Sequence, residues 1–355
     1  MNIGIVTLPL IDNYGCILQN FALQQILHQQ GHTAITFDIR GRQLYRRILT
    51  LLKQIVLHPL RSSSYNLPAK FYPRSPEINE FIKNNINVTD PLLSYSGKLC
   101  IENKINFVIA GSDQIWRPGY SLFPKDMYLK FVPKGIPRLS YAASFGTDNI
   151  TLPYTRCREY SNLLHSFVSV SVRENVGTEI CKGLFNIEAT QVLDPTLLLP
   201  VTDYMKLCED KKNKTAKYIG TYILDENNTK SSVITKISNL THLEKKEISL
   251  HSQVSPSRWL TFFRYADFIV TDSFHGMVFS IIFNKQFLVL DNKQRGSSRF
   301  TSLLSLLGLQ DRLVDADIVC STSFNLTEID YMYVNKRLEE LRQMSLEFLT
   351  NSLSS

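Results

Sequence analysis

The most constraining feature of this 355-residue chain is a repeated alternation of short apolar runs with helix-like stretches. The first segment, Asn2 to Thr7, is typical of a buried strand. NYGCILQNFALQQILHQQGH then predicts a turn, a helix and a glycine-containing stop before the strand TAITFDI. The alternation returns in NFVIAG, RLSYAAS, FVSVSVR and TQVLD, with a helix-like stretch at 176–184. The pattern predicts an α/β fold with mostly parallel, helix-covered sheets.

Length and one polar break predict two domains, because 355 residues exceed the usual size of a single core. The lysine-rich run CEDKKNKT interrupts the pattern at 208–215. A second α/β series follows, with the strand KYIGTYIL, a helix ending near Leu240, the strand KEISL, the helix PSRWLTFFRYA and the strand DFIVT. We predict an N-terminal domain over 1–207, a C-terminal domain over 208–330 and a closing amphipathic helix over 331–355. Facing α/β domains bind ligands at the carboxyl ends of their strands.

Composition excludes several classes of protein. Hydrophobic residues make up 44% and charged residues 20% of the chain, which is too apolar for disorder. The six cysteines have no CxxC spacing, so we expect reduced thiols and neither a metal site nor a cofactor. No basic segment precedes an apolar run at the start, and no run reaches the roughly 18 apolar residues of a membrane span. We therefore expect a cytoplasmic protein.

The net charge of +7 indicates anionic partners only weakly, but the excess is concentrated between Ile39 and Pro76, where no acidic residue occurs. Within this stretch, apolar residues at helical spacing face basic ones: Leu44, Ile48, Leu51, Leu52 and Ile55 against Arg42, Arg46 and Lys53. Such a helix can lie on an anionic membrane surface, or it can be an ordinary packed helix with a solvated basic face. Both interpretations stay open.

The segment DFIVTDSFHGMVFSII places a histidine between two apolar runs. It predicts a strand ending near Thr271 and a helix starting near His275 or Gly276, with Asp272 or Ser273 as its cap. A helix N-terminus favours an anion, so His275 would lie beside a bound anion and could donate a proton. The alternative is that the two polar residues only cap the helix and the imidazole fills a polar gap.

Two further strand ends carry polar side chains. NFVIAGSDQIWRPG predicts a strand to Ala110, a turn at Gly111, and Ser112 and Asp113 at the start of a helix or loop, where they could hold a ligand or simply cap. FVSVSVRENVG ends its strand at Arg173, which suits bidentate binding of carboxylate or phosphate but could equally form an ion pair with its neighbour Glu174.

The first turn of the chain, DNYG, is the fourth candidate. Polar side chains there could hydrogen-bond sugar hydroxyls, and a plain turn before the helix is the alternative. The adjacent Cys16 has no base associated with it, so it is not expected to be a nucleophile. GxGxxG and phosphate-loop motifs are absent from the sequence.

Taken in order, NYGCILQNFALQQIL, VIAGSDQIWR, SVRENVGTEI, VLDPTLLL, TDSFHGMVFSIIFNKQF and RFTSLLSLLGLQDRL resemble the polysaccharide pyruvyl transferase family over nearly the whole chain. The resemblance implies a glycosyltransferase-B-like fold of two facing Rossmann-like domains, with the acceptor on the 1–207 side and the donor on the 208–330 side. It implies transfer of a pyruvyl group from phosphoenolpyruvate, a co-substrate, to a glycan or lipid-linked oligosaccharide as a cyclic ketal. Contact with the inner membrane face would suit the lipid-linked acceptor, and no nucleic acid partner is implied.

By the same resemblance, His275 and Arg173 are the catalytic, donor-associated residues. The same match places Ser112 and Asp113 near the cleft, where we expect them to bind the donor. From their positions in the chain rather than from the match, we also expect Ser273, Gly276 and Arg295 to bind the donor, and Asn13 and Tyr14 of the DNYG turn to bind the acceptor. Many family members carry Arg-Leu-His where this chain has Ser273-Phe274-His275, and Arg264, Arg295 and Arg299 are candidates to supply the missing charge. The alternative functions are a glycosyltransferase using a nucleotide sugar and a non-catalytic carbohydrate-binding protein of the same fold.

Overall fold

A computed structural model of the protein describes residues 1–41, 48–49, 51–53, 71–209, 217–249, 252–292, 295–321 and 327–354. These residues form two parallel sheets flanked by helices, which confirms the predicted α/β fold. The strands are β1 (Asn2–Val6), β2 (Thr33–Thr36), β3 (Phe107–Asp113), β4 (Arg138–Ala143), β5 (Ser169–Val172), β6 (Thr190–Gln191), β7 (Tyr218–Tyr222), β8 (Glu244–Glu247), β9 (Phe268–Thr271), β10 (Gln286–Leu290) and β11 (Leu313–Val314).

The first sheet has six strands in the order β2-β1-β3-β4-β5-β6, and the second has five in the order β11-β10-β9-β7-β8. All their pairings are parallel. Strands such as β1, β3 and β9 are buried almost throughout because helices cover both faces, and this burial accounts for their continuous apolar sequences.

The helices are numbered in chain order. They are α1 (Tyr14–Gln29), α2 (Pro76–Asn85), α3 (Lys98–Glu102), α4 (Tyr154–Leu164), α5 (Asn175–Phe185), α6 (Val201–Leu207), α7 (Asn228–Thr241), α8 (Pro256–Tyr265), α9 (Phe274–Ile282), α10 (Ser298–Leu307), α11 (Ala316–Ser321) and α12 (Tyr331–Ser354). Side chains of Asn13, Asn227 and Ser273 cap the helices that follow them by accepting a backbone N–H of the first turn.

The closing helix α12 starts at Tyr331, as predicted, and returns to the first sheet. The Oγ of Ser345 accepts a hydrogen bond from the N–H of Leu193 at 3.0 Å, and the Nε of Arg342 donates to the carbonyl of Leu197 at 2.9 Å. Leu349 is buried in the main core. The C-terminal helix therefore links the end of the chain to the N-terminal sheet.

A second link between the two sheets lies at the start of α1. The ring of Tyr14 stacks on Trp259 of α8 with ring centres 5.6 Å apart, and its hydroxyl donates to the carbonyl of Ser252 at 2.8 Å. The two sheets are thus held against each other next to the turn that precedes α1. The division into domains at residues 207/208 and 330/331 stays a prediction; the second sheet begins at Tyr218.

Several predicted boundaries differ from the structure. Strand β3 continues to Asp113 instead of ending at Ala110, because Gly111 and Asp113 still pair with β4. The next helical residues after β3 are a single 3-10 turn at 126–128, so Ser112 and Asp113 do not start a helix. Strand β8 occupies 244–247 rather than KEISL. The predicted basic amphipathic helix lies mostly outside the described residues.

Candidate active site

A cleft of about 380 Å³ lies at the carboxyl ends of the strands, between the two sheets. The first sheet contributes residues from the loops after β1 and β3, and the second contributes residues that follow β7, β9 and β10. They are Asp12, Asn13, Gly15, Asp113, Gln114 and Tyr120 on one side, and Tyr222, Leu224, Trp259, Asp272, Ser273, Phe274, His275, Arg295 and Arg299 on the other. This is the location expected for a ligand in facing α/β sheets.

His275 lies at the start of α9 and is packed against the other sheet's first helix. A Cβ on residue 15 would lie 2.0 Å from Nδ1 of the imidazole, so only glycine allows this approach. The imidazole is 7% exposed, and its buried Nε2 has no hydrogen-bond partner among the described residues. The sequence predicted a strand end at Thr271 and a nearby helix start, and α9 begins at Phe274 with Ser273 as its cap.

Asp194 links the histidine to Arg173. Its Oδ2 lies 3.6 Å from Nε2 of His275 and 2.6 Å from an Nη of Arg173, and its Oδ1 accepts two hydrogen bonds from Thr196. Burial alone would raise the pKa of this carboxyl, but the neighbouring His275 and Arg173 outweigh it and hold the pKa well below its usual value. Asp194 is therefore an anion that faces both functional groups.

Arg173 follows β5 directly and is 5% exposed, so the ion pair with Glu174 that the sequence suggested as an alternative is present but buried rather than at the surface. It does lie near acidic groups: Asp113 is 3.7 Å and Glu174 is 3.9 Å away. Burial opposes its charge, but these carboxylates and Asp194 raise the pKa of Arg173 above its usual value. Its Nε and second Nη have no hydrogen-bond partner within the described part of the chain, although each lies within 4 Å of a carboxylate, and Arg173 itself is not among the residues that line the cleft.

Ser112 and Asp113 have different environments. Ser112 is fully buried and does not line the cleft; its hydroxyl donates to the carbonyl of Ala142 at 2.8 Å and lies 3.5 Å from Oδ2 of Asp194. Asp113 lines the cleft; its Oδ1 accepts from the N–H of Gln114 at 2.8 Å, while Oδ2 is buried without a partner in the described residues. The residue has a φ of 74°, an uncommon conformation that is concentrated at functional sites.

The polar residues before α9 hold the loop structure. Asp272 accepts from the N–H of Leu224 at 2.6 Å and from Nζ of Lys230 at 2.7 Å, and it also binds Asn292. Ser273 caps the helix through the N–H of Gly276 at 3.3 Å. A Cβ on Gly276 would lie 2.3 Å from Oγ1 of Thr271, so this glycine allows close packing of helix on strand.

The three candidate arginines are not equivalent. Arg264 does not line the cleft; it lies over Tyr265 and donates to the carbonyl of Met205. Arg295 forms a bidentate pair with Asp225 at 2.5 and 2.9 Å, and these hydrogen bonds lower the pKa of that carboxyl to about 2. Arg299 lines the cleft and is 6% exposed.

On the predicted acceptor side, Asn13 lines the cleft and caps α1 by accepting from the N–H of Cys16 at 3.2 Å. Tyr14 is buried in the contact between the sheets, with its hydroxyl bonded to backbone. Burial and the charge of Asp113 raise the pKa of Cys16 well above 9, which agrees with the expectation that it is no nucleophile. Binding roles for Asn13 and Tyr14 stay predictions.

Sequence reasoning missed Asp194 and Gly15. The run VLDPTLLL was used only as a motif, although an aspartate directly after a short strand is the same signal that singled out Arg173. Gly15 lay within the quoted DNYG turn, but its contact with His275 joins parts of the chain 260 positions apart and leaves no local pattern. Within the described ranges, no group of three or more His, Cys, Asp or Glu side chains could hold a metal ion, and no helix is long and apolar enough to cross a membrane.

Comparison with known proteins agrees with the sequence resemblance. A family model for polysaccharide pyruvyl transferase matches residues 13–294, more than half of the chain. No curated protein matches.

Solved structures share the fold at low identity. A putative UDP-N-acetylglucosamine 2-epimerase from Listeria monocytogenes superposes with a TM-score of 0.50 at 9% identity, covering 100% of this chain and 95% of that one. UDP-GlcNAc 2-epimerase from Methanocaldococcus jannaschii gives 0.48 at 13% identity, covering 97% and 100%. The spinosyn rhamnosyltransferase SpnG gives 0.46 at 11% identity, covering 100% of both chains. The fold shared with the Listeria monocytogenes protein and the two parallel, helix-covered sheets agree with the predicted glycosyltransferase-B-like fold.

Proposed function

Since the chain belongs to the polysaccharide pyruvyl transferase family, we propose that it transfers the pyruvyl group of phosphoenolpyruvate to a sugar of a glycan or lipid-linked oligosaccharide. The observation that supports this proposal is a cluster of basic side chains at the carboxyl ends of facing strands: His275 and Arg299 line the cleft, and the buried Arg173 lies 4.3 Å from the ring of Phe274, another lining residue. The Nε atoms of both arginines are buried without a hydrogen-bond partner in the described residues. Unsatisfied buried donors are costly, and an anionic ligand would satisfy them.

The reaction needs a proton donor and cations for the donor's carboxylate and phosphate. A proton adds to the methylene carbon of phosphoenolpyruvate, and C2 becomes electrophilic. One sugar hydroxyl adds to C2, the bond from C2 to the phosphate oxygen breaks, and a second hydroxyl closes the ketal. The two hydroxyls release two protons, of which one balances the proton added to carbon and the other leaves with phosphate.

His275 is the proposed general acid. It lies at the carboxyl end of β9 and at the start of α9, next to the anionic Asp194. Asp194 is a positioning residue: its Oδ2 lies 3.6 Å from Nε2 of His275, and it orients Arg173 through the 2.6 Å ion pair.

Arg173 is the proposed donor clamp. Its pair with Asp194 uses one Nη, and its Nε and second Nη, which lie 3.9 Å from Glu174 and 3.7 Å from Asp113 without a hydrogen bond, would donate to two oxygens of a carboxylate or phosphate. Its Cζ lies 4.3 Å from the centre of the Phe274 ring, which fixes the plane of the group. Gly276 and Ser273 lie at the first turn of α9, where backbone N–H groups and the helix dipole favour the donor's phosphate.

The test is to incubate the purified protein with candidate glycans and either phosphoenolpyruvate or nucleotide sugars. Release of phosphate, together with the added pyruvyl mass on the glycan, supports the proposal. Release of nucleotide would identify a glycosyltransferase instead, and glycan binding without any release would identify a carbohydrate-binding protein. The His275→Ala variant should lose on the order of 10²-fold or more in turnover while staying folded.

A further inference from the structure

Two buried arginines lie against the same aromatic ring in the cleft. Arg173 Cζ is 4.3 Å and Arg299 Cζ is 5.7 Å from the centre of Phe274. Arg173 comes from the end of β5 in the first sheet, while Arg299 comes from the first turn of α10, which follows the second sheet. Two cations from different elements are thus brought to one place by an aromatic side chain that can stack with both.

Arg299 differs from Arg173 in having no counter-ion. One Nη donates to the carbonyl of Arg295 at 2.8 Å, its buried Nε has no hydrogen-bond partner, and it forms no ion pair with any carboxylate in the described parts of the chain. Burial, followed by repulsion from Arg173, lowers the pKa of Arg299 to about 10. The side chain therefore remains charged at neutral pH. A buried cation without an anion is unfavourable for the empty protein, and a bound anion would compensate it.

The helix that carries Arg299 is held against the first sheet. The hydroxyl of Ser302, one turn further along, accepts hydrogen bonds from the N–H of Asn175 at 3.1 Å and from the amide of Gln191 at 2.7 Å. Asn175 is the first residue of α5, two positions after Arg173, and the amide of Gln191 in β6 also lies 3.4 Å from the carbonyl of Arg173. The spacing of the two arginines is therefore fixed by backbone and amide contacts rather than by the arginines themselves.

We propose that Arg299 is a second donor-binding residue, which with Arg173 binds the two anionic groups of a phosphorylated enol carboxylate. Arg295, which Asp225 neutralises, and Arg264, which lies outside the cleft, are not placed to bind that second anionic group. The inference rests on the proposed function, since it names the residue that binds the donor's second anionic group.

The test is calorimetric titration of the purified full-length protein with phosphoenolpyruvate and, separately, with inorganic phosphate. Arg299→Gln should weaken phosphoenolpyruvate binding by about 10- to 100-fold, the size expected when a hydrogen bond to a charged group is lost. Arg299→Lys keeps the charge but loses the planar stack, so its affinity for phosphoenolpyruvate should lie between that of Arg299→Gln and that of wild type. Arg264→Gln is the matched control outside the cleft and should bind like wild type.

Two further measurements separate binding from a structural role. Because Arg299 has no counter-ion, Arg299→Gln should melt at the same temperature as wild type or higher when no ligand is present. The double variant Ser273→Arg/Arg299→Gln should recover part of the lost affinity, since it returns a cation to the neighbouring position. If the double variant binds phosphoenolpyruvate no better than Arg299→Gln does, a cation at position 273 cannot substitute for the one at position 299, and the proposed role of Arg299 as a donor-binding cation is contradicted.

The outcomes distinguish this inference from the proposed function. If wild type binds phosphoenolpyruvate and Arg299→Gln binds it equally well, the inference fails alone. If Arg299→Gln melts much lower while its affinity holds, Arg299 is structural. If wild type itself does not bind phosphoenolpyruvate, the proposed function fails and this inference fails with it.

Discussion

Adding one methyl group at residue 15 tests the packing that holds His275. The Cβ of an alanine there would lie 2.0 Å from Nδ1 and 2.3 Å from Cγ of the imidazole, whereas ordinary contacts begin at 3.4 Å. The ring must therefore move by about 1.4 Å, or α1 must move away from α9. A displacement of about 1 Å costs on the order of 10²-fold in catalysis, and overpacking a buried site costs about 1 to 3 kcal/mol of stability.

Gly15→Ala should accordingly reduce turnover of phosphoenolpyruvate by about 10²-fold and lower the unfolding free energy by about 1 to 3 kcal/mol. The matched control is Gly183→Ala in α5, where a Cβ would meet no atom within 4 Å. There the same change should keep full activity and stabilise the helix by up to about 1 kcal/mol. Phosphate release measures turnover, and urea denaturation measures the free energy of unfolding.

A double-mutant cycle makes this prediction specific to the contact between the two residues. In the His275→Ala background the imidazole is gone, so Gly15→Ala should destabilise the protein far less than it does in wild type. A loss of stability that is equal in both backgrounds would refute the reasoning, because the added methyl group would then clash with something other than the imidazole. Full activity of Gly15→Ala would refute it as well.

Three other predictions follow from the site and from the basic segment. Arg173→Lys keeps the charge but loses the planar fork and should chiefly weaken phosphoenolpyruvate binding in calorimetry; unchanged affinity would contradict the clamp. Asp194→Asn breaks a buried pair and should cost about 3 kcal/mol at neutral pH. The pKa of Asp194 is lower in the folded protein than in the unfolded chain. The ionised carboxylate therefore makes its full contribution to the free energy of unfolding above the unfolded pKa of about 3.9, and this contribution is lost as the pH falls further. The difference in melting temperature between wild type and this variant should therefore be constant from pH 7 to pH 5 and shrink below about pH 4, and a constant difference down to pH 2 would contradict the assignment. Ile48, Leu49 and Leu52 of the basic segment are exposed, and we propose that they contact an anionic membrane surface; flotation with anionic vesicles should recover the protein at low salt, and Leu52→Glu should abolish it.

The sequence was sufficient where local patterns decide the structure. The end of β9 at Thr271 and the cap at Ser273 follow from an apolar run that stops at two polar residues. Arg173 lies at a strand end for the same reason. Strand β3 passes Gly111 because β4 continues to pair with it, and such pairing depends on a neighbouring strand that local propensity does not reveal.

The organisation of the site itself could not be predicted locally. Asp194, Gly15 and His275 meet only because three elements from two sheets converge, and no spacing in the sequence records that convergence. The choice of Arg299 over Arg264 and Arg295 depends on burial and on the presence or absence of a carboxylate partner, which are tertiary properties.

The roles of Ser273 and Phe274 at the start of α9 complement each other. Serine caps α9 through the N–H of Gly276, a role that an arginine side chain cannot fill. Phenylalanine presents a ring on which Arg173 and Arg299 both lie, so the aromatic side chain and the second arginine belong together. Leucine at 274 would remove the ring while leaving the two like charges close to each other, and their repulsion would then lack the compensating stacking. On this reasoning, position 274 determines whether a cation supplied from α10 can lie beside Arg173.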